Sequence, residues 1–277
     1  MTLPPKRNYN LTICIPSSIL SIVDTLIEKT IITGIIARAV SIYRVNEVVI
    51  YADNYGNKKD ALLMKELLEY AETPQYLRRY IFPISPNLKY AGLIPPLRTP
   101  HHPTLDSDIE FREGFVLKSW DKGAIVDIGL KEPIDCPFQL PQNKRVSMKK
   151  EGDLWIPIKK EDIPYYWGYE VHIDMKGLGH HLRNFKYDHI ISTSRLGTPI
   201  NLVIDKIKNI LKLGKKIAIL FGSPYEGLHE ILKKESIDIN SISDLIVNMV
   251  PNQGTVTIRT EEALIISLAI ISIIELF

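Results

Sequence analysis

Residues 217–234 read IAILFGSPYEGLHEILKK: an apolar run stops at Gly-Ser-Pro, then an acid and a second glycine open a stretch with helical periodicity. A strand that passes through such a turn into a helix leaves backbone N–H groups facing outward, and their usual guest is a phosphate. This turn carries Glu226 and no lysine. A carboxylate a few ångströms from a phosphate is repelled in a partly desolvated pocket, so a neutral or cationic ligand suits the loop better. Open α/β sheets hold their ligands beyond the carboxyl ends of their strands, where this loop would lie.

A chain of 277 residues suits one large α/β domain, or a domain with an insert. Its 34 Lys+Arg and 32 Asp+Glu nearly cancel, so any nucleic-acid contact must come from a local patch. Cys14 and Cys136 match no metal spacing and suggest a reducing, cytoplasmic setting. The opening MTLPPKRNYN lacks the apolar stretch of a secretory signal. Residues 263–277, ALIISLAIISIIELF, are apolar but shorter than the ~20 residues that cross a bilayer, and they include Glu275. They read as a helix buried on most sides, at a subunit contact, with no membrane span.

The first ninety residues alternate strand and helix. LTICIP (11–16) and EVVIYAD (47–53) read as strands, Ser17 or Ser18 as a helix cap, and 61–71 as a helix with a leucine stripe. From 88 to 174 the pattern changes to prolines and short alternating runs: GFVLKSW, GAIVDIGL, KRVSMKK, DLWIPI and GYEVHID. Such a series predicts a small β-barrel or sandwich. Afterwards the α/β order resumes: YDHIIST a strand, 199–213 a helix, KIAILFG a strand, LHEILKK a helix, DLIVNMV a strand and 260–276 the last helix. The expected organisation is therefore a discontinuous α/β domain, 1–87 and 175–277, with a mainly parallel sheet, interrupted by a small β-barrel at 88–174.

Residues 248–271, NMVPNQGTVTIRTEEALIISLAII, repeat the design of the first loop: a strand ends, a Pro-Asn-Gln-Gly turn follows, and Thr260 is placed to cap a helix that begins with Glu261 and Glu262. Amide and backbone groups of this kind suit the edge of a heterocycle such as adenine.

The pair FGSPYEGL and NMVPNQGTVTIRTEEAL, in that order near the C-terminus, resembles the two cofactor-binding segments of the SPOUT class of S-adenosylmethionine-dependent RNA methyltransferases. YDHIISTSRLGTP resembles the strand and loop before them, and the interrupted α/β organisation resembles the archaeal and eukaryotic RNA methyltransferase subfamily with an inserted OB-like barrel. The resemblance implies a trefoil-knotted α/β fold, against the general rule that chains avoid knots. It further implies a homodimer that methylates a base, such as a uracil-type nitrogen, in ribosomal RNA. A non-catalytic RNA-binding protein that keeps the fold is the alternative. Carried over residue by residue, it assigns S-adenosylmethionine binding to Gly222, Pro224, Glu226 and Gly227 in one loop. In the next it assigns Pro251, Asn252, Gln253, Gly254 and Thr255, with Ile258 as an apolar wall. Glu226 can either face the sulfonium or favour the following helix N-terminus. Arg195 becomes the substrate-side catalytic residue, its planar cation suited to phosphate or developing negative charge. The family pattern reads Ser-Glu-Arg-Gly where this chain has Ser194-Arg195-Leu196-Gly197.

In the insert, Lys144, Arg145, Lys149 and Lys150 cluster near Phe138, Trp155, Tyr165, Tyr166 and Trp167, a mixture of cations and rings that suits single-stranded nucleic acid, although PYYWGY reads equally well as core or hinge packing. Arg183, beside His180 and His181 in GLGHHLRN, is a further RNA candidate. No metal is expected, because neither that histidine pair nor His101-His102 has acidic or cysteine partners at zinc spacing.

Overall fold

The computed structural model describes residues 3–277. In chain order its elements are β1 (Asn10–Pro16), α1 (Leu26–Ile42), β2 (Glu47–Tyr51), α2 (Lys58–Glu72) and α3 (Arg78–Ile81). Then come β3 (Phe111–Trp120), β4 (Gly123–Asp127), β5 (Ile134–Cys136), β6 (Arg145–Glu151), β7 (Leu154–Ile158) and β8 (Glu170–Asp174). The chain closes with α4 (Leu178–Asn184), β9 (His189–Pro199), α5 (Ile204–Leu213), β10 (Lys216–Leu220), α6 (Leu228–Lys234), α7 (Ile239–Ile242), β11 (Leu245–Asn248) and α8 (Thr260–Ile274). Contacts divide it into two compact units. One comprises residues 7–69, 87–95 and 169–277; the other comprises, among the described residues, 3–6, 70–86 and 96–168.

The larger unit is built on a six-stranded sheet of order β11-β9-β10-β1-β2-β8, parallel at every pairing. Strands covered on both faces need continuous apolar runs, and β1 is buried at every residue after Asn10. Cys14, Tyr51 and Leu220 from the sheet pack with Leu228, Ile231 and Leu232 of α6. Each such Leu or Ile contributes roughly 1.5–3 kcal/mol relative to exposure. The apolar last helix packs on α1 and α5. Its terminal acid, Glu275, pairs with Arg7 and Arg44, each at 3.0 Å. Among the described residues no helix is long and apolar enough to cross a membrane.

The smaller unit holds a separate antiparallel sheet of order β5-β4-β3-β6-β7, whose edge strands β5 and β7 approach each other, so that it curls into a half-barrel. Val116, Val126, Met148 and Trp155 fill its core. Beside them lies a buried ion network. The Arg145 guanidinium sits 2.6 Å from the Glu72 carboxylate and 2.5 Å from that of Glu113. Ser147 at 2.6 Å and the Trp167 indole both donate to Glu113, and His101 lies 3.1 Å from Glu72. Charges can be buried in this way only when paired and hydrogen-bonded.

Several expectations are corrected. GYEVHID does not belong to the β insert: its strand β8 is the edge of the parallel sheet, in register with β2. Its alternation fits any half-buried edge strand, so pattern alone could not assign it to a sheet. Neither Ser17 nor Ser18 caps α1; Thr25 does, in a capping box with Glu28, after a 3-10 turn. Residues 199–203 are not helical turns of α5, because β9 continues to Pro199 and a 3-10 turn intervenes.

Candidate active site

All six strands of the parallel sheet point the same way, so the loops after β9, β10 and β11 meet at one edge. The first of these arises inside β9. Ser192 is opposite Ile246, but Thr198 is already opposite Val247, so residues 193–197 bow out of the sheet with Arg195 near the apex. Gly197 permits this: a Cβ there would lie 2.8 Å from the backbone of Ile246 and Val247.

The second loop, 221–227, is anchored where Phe221 N–H donates to the Cys14 carbonyl at 3.0 Å and the buried Tyr51 hydroxyl donates to the Phe221 carbonyl at 2.7 Å. The Ser223 hydroxyl accepts from the N–H groups of Tyr225 (3.1 Å) and Glu226 (2.9 Å), and Ser223 N–H donates to the Glu226 carbonyl. Three donors that a phosphate would need are thereby consumed inside the turn. A lysine does approach: Lys234, from the end of α6, donates to Glu226, which also accepts from Tyr55 at 3.1 Å. That ion pair holds the Glu226 carboxyl below the ordinary range. The remaining Glu226 oxygen, Oε2, is buried with no partner among the described residues.

The third loop, 249–259, is tied to both others. Arg195 Nη1 donates to the Val256 carbonyl at 2.7 Å, the Asn248 amide donates to the Arg195 carbonyl at 2.9 Å, and Gln253 Nε2 donates to the Thr255 carbonyl at 2.8 Å. Asn252 holds a left-handed backbone, φ 59°. Contrary to the expectation from sequence, Thr260 does not cap α8; its hydroxyl donates to the Gly222 carbonyl at 3.1 Å, and the N-cap position falls to Arg259.

Between these loops lies a cavity of about 1050 Å³. Arg195, Gly222, Pro224, Glu226, Gly227, Gln253 and Ile258 line it, whereas Pro251, Asn252, Gly254 and Thr255 shape the third loop without forming its wall. Phe221, Val247 and Met249 add apolar surface. Sequence reasoning did not single out Ser267, buried on α8 with its hydroxyl unpartnered among the described residues, nor His229 and Lys233 on α6. Their i, i+4 spacing directly after the first loop was the available signal.

The RNA candidates fare differently. Arg145 is committed to the buried network, and Lys149 to Glu151 at 3.1 Å. Alternation along β6 puts both on the face opposite the buried Met148, with which Lys150 alternates in step, so the four cations do not form one patch. Lys144 and Lys150 are exposed. Trp155, Tyr166 and Trp167 are core residues rather than a platform, and Phe138 alone of the quoted rings is largely exposed. Arg183 donates to the Glu235 carbonyl at 2.7 Å. His180 pairs with Asp174 at 2.8 Å, and the buried His181 bonds the Tyr187 hydroxyl at 2.7 Å.

A family model described as "putative RNA methyltransferase" matches residues 10–271. A 28S rRNA (uridine-N(3))-methyltransferase of Drosophila melanogaster is 32% identical over 305 residues, covering 94% of this chain and 61% of that protein. The Homo sapiens protein of the same name is 30% identical, over 95% of this chain and 78% of that protein. An uncharacterized protein of Halobacterium salinarum is 28% identical, over 95% and 99%. The chain thus spans 61% of the length of its fruit-fly relative.

Proposed function

The chain belongs to the RNA methyltransferase family whose model spans residues 10–271, and from that premise we propose that it methylates N3 of a uridine in ribosomal RNA with S-adenosylmethionine as donor. The observation that carries this reading is the meeting of three loops around one cavity at the carboxyl edge of the sheet. The residues present fit the donor. The orphaned Ser267 hydroxyl offers a polar bond, and Phe221, Val247 and Met249 suit an aromatic ring, while Glu226 is already paired with Lys234.

When bound, S-adenosylmethionine supplies an electrophilic methyl carbon. Gly222, Pro224, Glu226 and Gly227 bound one side of its site and Gln253 and Ile258 the other, while Pro251, Asn252, Gly254 and Thr255 set the course of the third loop. Arg195 serves the acceptor side and steadies charge there. Uridine N3 must lose its proton to become a nucleophile, and His229, which lines the cavity, is our candidate for the acceptor. The trefoil knot belongs to the same reading and rests on the resemblance of the two loop sequences alone. So does a homodimer. Ile27, Ile31 and Ile35 form an exposed stripe at helical spacing on α1, beside α8 with its exposed Ile273. The half-barrel, with Lys144, Lys150 and the exposed Phe138 and Trp120, is the proposed RNA selector.

Calorimetry of the RNA-free chain with S-adenosylmethionine tests the cofactor, and mass spectrometry of nucleosides after reaction with ribosomal RNA tests the product. RNA binding without any cofactor binding would favour a non-catalytic RNA-binding protein instead.

A further inference from the structure

Tyr55, in the loop between β2 and α2, and Tyr225, in the loop between β10 and α6, stack with ring centroids 4.7 Å apart and an interplanar angle of 28°. Both sit at the carboxyl edge of the sheet, and Tyr225 also lines the cavity. These side chains are 46% and 51% exposed.

They are nevertheless held in place. The Tyr55 hydroxyl donates to Glu226 at 3.1 Å, and the Ser21 hydroxyl lies 3.4 Å from that of Tyr225. The Tyr55 loop is fixed at its base, where Asp53 accepts from Ser18 N–H at 3.1 Å and a Cβ on Gly56 would collide with Ser17. Cations flank the rings. Lys234 Nζ stands 5.7 Å from the Tyr55 centroid, and Lys58 and Lys59 are exposed three and four residues beyond Tyr55. Rigid, solvent-facing aromatic surface next to cations is how proteins hold unpaired bases, because every base has a face to stack while the phosphates meet the lysines.

The geometry points to a stacking platform for an unpaired RNA base: Tyr55 and Tyr225 hold a nucleotide next to the one whose base enters the cavity, with Lys58 and Lys59 along its backbone. This rests on the RNA methyltransferase reading and adds to it a second contact for the substrate strand, outside the half-barrel. The platform selects single-stranded over duplex RNA, since paired bases offer no free face.

The test is fluorescence anisotropy with a labelled single-stranded, uridine-containing RNA oligonucleotide and with the same sequence as a duplex, using the full chain without cofactor. Tyr55→Ala and Tyr225→Ala are each expected to weaken single-strand binding about tenfold and to leave duplex binding within about twofold. Tyr225→Trp should retain affinity. Should an alanine variant melt early, Tyr225→Leu against Tyr225→Trp makes the same comparison at similar bulk. Single-strand affinity unchanged in Tyr225→Ala overturns the platform. So does a variant that loses S-adenosylmethionine binding in calorimetry instead, or one that changes oligomeric state in light scattering, since the rings would then serve the cofactor or a subunit contact. If the unsubstituted chain binds neither RNA nor S-adenosylmethionine, it is the functional reading itself that fails.

Discussion

The Thr260 hydroxyl donates to the Gly222 carbonyl at 3.1 Å, so the first turn of the last helix is fastened to the loop that follows β10. Thr260 is buried and lines the cavity. Thr260→Val keeps the shape and removes the donor, leaving the Gly222 carbonyl short of a partner. It is expected to lower stability by about 1 kcal/mol and to weaken S-adenosylmethionine binding several-fold, because two walls of the site lose their common anchor. Thermal melting and calorimetry on one preparation check both. Unchanged cofactor affinity would mean that the tie is structural only.

Arg195 stands at the apex of the β9 bulge with one nitrogen already given to the Val256 carbonyl. Arg195 also lines the cavity, and under the proposed function its guanidinium serves the acceptor side. Arg195→Ala is expected to reduce methyl transfer to RNA by about 100-fold. Cofactor affinity should fall by no more than about tenfold, the scale of one lost hydrogen bond to the third loop. Abolished cofactor binding with little further effect on turnover would reverse the assignment.

Ser267 tests the donor site from another side. Its hydroxyl is buried on the cavity wall and has no partner among the described residues. Ser267→Ala should leave the cofactor-free chain as stable as before or slightly more so, since an unsatisfied polar group disappears. With S-adenosylmethionine present, affinity should drop about fivefold. Equal affinity in the two proteins would remove Ser267 from the site.

Much of this arrangement was legible in the sequence, for physical reasons. Parallel strands covered on both faces appear as unbroken runs such as TICI, VVIY and IAIL, and Gly, Pro and Asn mark their exits. The two glycine-bearing loops were therefore visible, and the cavity lies between them. What stayed hidden depends on long-range register and pairing. The bulge in β9 exists only relative to β11, and Arg145 reads as a free cation until Glu72, 73 residues earlier, is placed beside it. Thr260 has the composition of a helix cap, but the carbonyl of a distant loop claims its hydroxyl.

Asn252 carries a local backbone constraint. Its φ of 59° is left-handed, a conformation in which asparagine is tolerated and alanine costs about 1–2 kcal/mol. Asn252→Gly should thus preserve stability and cofactor affinity, whereas Asn252→Ala should lower both. Asn252→Gly losing affinity as severely as alanine, at unchanged melting temperature, would show that the amide itself bonds the ligand.

The buried network of the smaller unit predicts acid sensitivity. His102 donates to the Glu72 carbonyl at 2.5 Å, and burial, with His101 beside it, pushes its imidazole down from 6.5 to about 3. Burial alone would raise the Glu72 carboxyl, but Arg145 and His101 hold it well below the ordinary carboxylate range. Both shifts have the same sign. An unfolded chain takes up a proton at His102 below about pH 6.5 and at Glu72 below about 4.3, while the folded chain resists until lower pH. Stability from these groups is therefore full above pH 6.5. It is lost as pH falls, at up to about 1.4 kcal/mol per unit for the histidine between 6.5 and 3. Urea unfolding followed by tryptophan fluorescence, which reports Trp155 and Trp167 in this unit, should show the midpoint falling from pH 7 to pH 5. His102→Gln keeps an amide donor for the Glu72 carbonyl without a titrating ring, so its midpoint should be nearly flat over that interval. An equal fall in both proteins would place the acid sensitivity elsewhere in the chain.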